Sequence, residues 1–176
     1  MGIFSFLFGS TSKAEPPKAD ARQAAFADLR KQALTGTRAV FGLDPAATPT
    51  TPWGVVMETG FPEGSFTLVA LSDGSASIYL SIGGGSIGGG AHETIRKASQ
   101  AMVALAAKFQ PKATATKAFP PPKDGQTIFY LLTDAGVFTA SAPEQKLGED
   151  RHPWSPLFHA GHEVIGQYRL IEQNPK

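Results

Sequence analysis

Apolar and polar positions recur along this chain with periods that change from block to block, and the periods predict its elements. From Asp20 to about Leu34, Phe26, Leu29 and Ala33 fall on one helical stripe. Asp20 and Gln23 stand in capping-box positions, and Gly36 supplies a stop. Positions 37–52 carry Pro45, Pro49 and Pro52 and read as a loop with a short apolar piece at Ala39, Val40 and Phe41. Three strands are then expected, at 53–59 (WGVVMET), 65–71 (SFTLVAL) and 76–82 (ASIYLSI). Asp73-Gly74 between the last two signals a tight hairpin, because such a turn needs positive φ at its centre. In the second strand Phe66, Leu68 and Ala70 point one way while Val69 and Leu71 point the other, which predicts a strand covered on both faces.

Positions 91–109 form the clearest helix, with Ile95, Ala98, Met102, Leu105, Ala106 and Phe109 on its apolar stripe. The connector at 111–125 contains Pro120-Pro121-Pro122 and reads as extended polyproline geometry. A fourth strand at 127–133 (TIFYLLT) is apolar on both faces. Asp134-Ala135-Gly136 turns the chain into a fifth at 137–142. Ser155-Pro156 has the form of an N-cap followed by a proline in the first turn, and the final helix runs to about Glu172. Its core stripe is Leu157, Gly161, Val164, Tyr168 and Ile171. Gly161 and Gly166 each cost about 1 kcal/mol relative to alanine, which predicts close approach of another segment. The expected fold is α+β, a five-stranded antiparallel sheet with helices packed on it in the order α-β-β-β-α-β-β-α. It forms a single domain at 20–176, preceded by an apolar segment and linker at 1–19.

Composition narrows the picture. The length of 176 residues fits one domain with a sizeable core of its own. Charged residues make up 18% of the chain and hydrophobic ones 41%, a balance that leaves apolar surface for association. A net charge of +1 without long runs argues against nucleic acid and acidic membranes as partners. The lack of cysteine excludes disulfides, thiol nucleophiles and Cys-ligated zinc. The opening MGIFSFLFG lacks the basic flank and cleavage site of a signal peptide, and Phe6 breaks the myristoylation pattern, so the expected location is cytoplasmic. Contact with a membrane is expected, if anywhere, through Phe4, Phe6, Leu7 and Phe8, which no basic cluster reinforces.

Candidate chemistry gathers in two places. The first is GGGSIGGG at 83–90, where Gly83, Gly85 and Gly88 match G-x-G-x-x-G. The preceding strand belongs to a hairpin, no acidic residue is spaced for a ribose, and no Gly-Lys-Ser/Thr follows. One reading is a crossover whose missing side chains let it pass close to another segment. The other is an anion site built from the backbone of Gly84, Gly85, Ser86, Gly88 and Gly89, with His92 at its rim. The second place is HPWSPLFHAGHE at 152–163. His159 and His162 lie three apart on a helix, close enough to share a metal, but the spacing of His152, Glu163 and His92 announces no further ligands. The other reading has one of the pair packed and the other solvated. There is no G-x-S-x-G, and the carboxylates fall mostly in turns, so no catalytic residue and no cofactor is predicted.

The segments WGVVMETG, SIYLSIGGGSIGGGAHETI, FYLLTDAGV and HPWSPLFHAGHEVI together resemble an uncharacterised bacterial protein family of unknown function, over roughly positions 53–171. That resemblance implies a bacterial source and transfers no activity. The element order is similar, in topology only, to profilin-like, roadblock and longin folds. The expected function is a non-catalytic protein-interaction module that self-associates as a homodimer, since three helices are few for two apolar sheet faces. The alternative is a small-molecule or anion-binding protein, enzymatic or not, using the Gly83–Gly90 loop and nearby histidines.

Overall fold

The computed structural model describes residues 19–173. The expectations for the apolar segment and most of its linker lie outside these residues. The described chain runs α1 (Ala19–Thr35), β1 (Gly54–Phe61), β2 (Gly64–Leu71), β3 (Ala76–Leu80), β4 (Gly85–Ile87) and α2 (Glu93–Ala106). It continues through β5 (Thr114–Thr116), β6 (Gln126–Thr133), β7 (Gly136–Pro143), α3 (Glu144–Gly148) and α4 (Ser155–Gln173). The seven strands form one sheet in the order β4-β3-β2-β1-β6-β7-β5, and every neighbouring pair is antiparallel.

The α+β class and the antiparallel sheet agree with the sequence. The count of five strands and the order α-β-β-β-α-β-β-α do not. Two strands of three residues each sit at the two edges. Gly85–Ile87 pairs with Ser77, Ile78 and Tyr79, and Thr114–Thr116 pairs with Val137, Phe138 and Thr139. The first is half glycine-flanked turn and the second lies in a proline-rich connector, so neither has the length or alternation that marks a strand. The short α3, whose Leu147 is fully buried, was likewise not expected.

Alternation along the strands sorts the core into two layers. Val55, Met57, Leu68, Ala70, Phe129 and Leu131 face α2 and α4. The stripe expected on α4 is buried there at Leu157, Gly161, Val164 and Tyr168. Trp154, just ahead of α4, stacks on Phe129 with centroids 5.3 Å apart and tilts against Phe109 at 5.1 Å. At Gly161 an added Cβ would stand 2.6 Å from the Met57 side chain, so the expected close approach is realised there; Gly166 faces open space and nothing in the structure explains it.

Val56, Val69, Leu71, Ile128, Tyr130 and Leu132 point to the opposite face, toward α1 and the loop at 36–53. Leu43 and Trp53 of that loop are buried. Arg38 fastens the loop to the β6–β7 turn: its Nε donates to Asp134 at 3.1 Å and its Nη1 to the Leu43 carbonyl at 3.0 Å. Among the described residues no helix is long and apolar enough to cross a membrane.

Candidate functional site

Helix α1 crosses its sheet face from the β4 edge toward β7. Arg22 packs on Gly83 in the β3–β4 turn, Arg30 meets Glu58 on β1, and Leu34 shares a groove with Val137 on β7. Its apolar stripe is short: Ala33 and Leu34 are its buried residues, while Phe26 and Leu29 are only partly covered. To this short apolar contact the helix adds a polar one.

The fixing group is Glu58, 0% exposed in mid-strand. Arg30 grips its carboxylate bidentately, Nε to Oε1 at 2.6 Å and Nη2 to Oε2 at 2.7 Å, and Thr67 donates to Oε1 at 2.7 Å. The same Arg30 Nη2 donates to the Phe119 carbonyl at 3.0 Å, and the Tyr130 hydroxyl donates to the Pro120 carbonyl at 3.1 Å. One cation thus ties together α1, β1 and the proline-rich connector. Burial works against the charged guanidinium, yet the hydrogen bonds and negative charge of Glu58 outweigh it, and the Arg30 pKa is raised. Burial, reinforced by the Glu58 charge, pushes the Tyr130 hydroxyl up to about 12.

Glu58 is no turn residue, and its pairing was not read from the sequence. A signal was present nonetheless: a lone carboxylate after Val55-Val56-Met57, in a strand apolar on both faces, requires a buried partner.

On either flank of α1 the cover is thin. One groove of about 520 Å³ lies between the end of α1 and β7, with Trp53, Phe119 and Val137 in its walls. A second, of about 610 Å³, runs beside Phe26, Phe61, Pro62, Phe119 and Pro121. A third, of about 570 Å³, separates the start of α1 from the β3–β4 turn.

The glycine segment is largely the turn and outer strand of a hairpin. Gly84 gives its carbonyl to the Leu80 amide, the Gly83 amide donates to the Leu80 carbonyl, and Gly85 and Ser86 pair with Tyr79 and Ile78. The Ser86 hydroxyl donates to Glu172 of α4 at 3.0 Å. Gly88 caps a short 3-10 turn at Gly89–Ala91, and His92 is exposed just before α2. Gly89 is the close-approach position: an added Cβ would overlap the Tyr168 hydroxyl, which donates to the Ala76 carbonyl at 2.6 Å. The segment therefore brings α4 and the start of β3 together, and it spreads Gly84, Gly85 and Ser86 along one strand edge while Gly88, Gly89 and His92 lead into α2.

The histidines are placed separately. His162 lies between Phe158 and Phe66, with ring centroids 4.3 and 6.3 Å away, and its Nε2 has no hydrogen-bond partner. Burial, with lesser repulsion from Arg169 and His159, lowers its pKa. His159 reaches Asp150 through Nε2 at 2.8 Å, and His152 accepts the Trp154 amide through Nδ1 at 3.2 Å. Among the described residues no group of three or more His, Asp or Glu could hold a metal ion. No protein-family model, no curated protein and no solved structure matches the chain, so geometry carries the functional argument.

Proposed function

We propose that this chain is a non-catalytic protein-interaction module, of bacterial origin and cytoplasmic setting, which pairs with a second copy of itself through its α1 face. The observation that carries this reading is the thin cover there. The strand side chains of this face are buried under α1 and the loop at 36–53, but α1 itself buries only Ala33 and Leu34. The cover leaves Phe41, Phe119 and Val137 partly exposed beside two grooves, with Val40 more than half exposed on the loop. Apolar surface of this kind marks association sites, and a two-fold contact is the simplest way for one chain to cover it. The low charge of the chain supports the same reading.

Light scattering on the full chain at high micromolar concentration tests it, with a dimer mass expected. Val40→Asp should shift the mass toward the monomer, whereas Leu170→Asp, on the exposed side of α4, should not. A monomer mass for the unmodified chain would sink the proposal.

A second reading, small-molecule or anion binding near the glycine turn, is favoured by the third groove and by Arg22 in its wall, which has no ion-pair partner among the described residues.

A further inference from the structure

The groove between α1 and the β3–β4 turn differs from the other two in its chemistry. Its walls are Phe26, Leu29, Leu80 and Ile87, with Tyr79 also lining it. Its charged lining residue is Arg22, and no carboxylate among the described residues lines it. Arg22 is exposed and, among the described residues, has no hydrogen-bond or ion-pair partner. Ser86, the hydroxyl of the hairpin, is already engaged by Glu172 and does not line the groove.

Two details show how the sequence builds this arrangement. Gly83 has φ +104, and a Cβ there would stand 3.0 Å from Arg22 Cδ, so glycine lets the arginine stem lie flat on the turn. Tyr79 is 3% exposed, and its hydroxyl makes no well-formed hydrogen bond, with Ser77 its near polar neighbour. A guanidinium without a counter-ion beside an apolar trough is complementary to a molecule with one anionic end and a hydrocarbon body.

We infer that this groove binds a free medium-chain carboxylic acid, its carboxylate on Arg22 and its chain along Phe26, Leu29, Leu80 and Ile87. The volume of about 570 Å³ accommodates such a ligand. The inference goes beyond the association proposed above and depends on a different part of the α1 face.

Decanoate, titrated below its micelle concentration into the full chain and followed calorimetrically, is the probe. Saturable one-to-one binding is expected, weakening about threefold to fourfold for each methylene removed. Arg22→Gln should weaken decanoate about tenfold and leave decanol binding unchanged, because only the charged contact is lost. No saturable binding of decanoate would overturn the inference. So would an Arg22→Gln variant that binds decanoate as tightly as the parent, or one that weakens acid and alcohol alike. The dimer mass is read separately by light scattering, so failure of one proposal is distinguishable from failure of the other.

Discussion

The two faces of this sheet are held by different physics. On the α2/α4 face the strands meet two long helices whose stripes interlock with Met57, Phe129 and Leu131, and Trp154 closes one end by stacking. Adhesion there is spread over many apolar contacts, each small and none directional. On the α1 face a helix with two buried side chains is held by one buried carboxylate and one arginine, helped by a loop pinned at Arg38. The first face is built to be permanent. The second depends on a few directional contacts and leaves grooves beside them, which is why both proposals lie there.

Truncation should separate the faces most sharply. Phe129→Ala, at 0% exposure, is expected to cost about 4 kcal/mol in urea unfolding, whereas Phe26→Ala on α1 should cost about 1 kcal/mol. Equal losses would break the comparison. Next in size is the ion pair. Arg30→Ala strands a buried carboxylate and should cost about 3 kcal/mol, while Arg30→Met combined with Glu58→Leu should recover most of that loss. A single-variant loss below about 1 kcal/mol would mean that α1 is held by something else.

The smallest effect is on pH dependence. The lowered pKa of His162 means that the unfolded chain binds more protons than the folded one between the folded pKa and the ordinary value of 6.5. Its contribution is present above pH 6.5 and is lost as the pH falls through the folded pKa. His162→Phe should remove that part of the acid destabilisation, read as the difference in urea midpoint between variant and parent from pH 7 to pH 5. A difference that does not change across this range would show that His162 titrates normally.

How much of this was legible in the sequence followed from how strongly each residue depends on its neighbours in the chain. The stripes of α2 and α4 repeat every three or four positions, so Ile95, Met102, Leu157 and Val164 declare their burial locally. The Asp73-Gly74 hairpin is equally local, and Asp73 accepts the Ser75 amide at 2.8 Å as such a turn requires. The edge strands are not local. Gly85–Ile87 and Thr114–Thr116 become strands because β3 and β7 offer free edges, and nothing in three residues announces that. The Arg30–Glu58 pair spans 28 positions and two different kinds of element, so periodicity could not find it. The place of Arg22 needs the same three-dimensional information, since its neighbour Gly83 belongs to a remote hairpin.

The strand order has a consequence for how the chain reaches this state. β1 to β4 follow one another as hairpins, and β6 with β7 forms another, so each group consists of short-range pairings that close quickly. The two groups meet at one seam, β1 against β6, where Thr59 and Thr127 share a hydrogen bond at 2.8 Å although they stand 68 positions apart. Closing that seam carries the largest loop entropy of the sheet and is the step expected to set the refolding rate. During synthesis, β1 carries Val55, Val56 and Met57 along a bare edge until β6 has been made. That interval is when the nascent chain is most open to pairing with a neighbour instead of with itself.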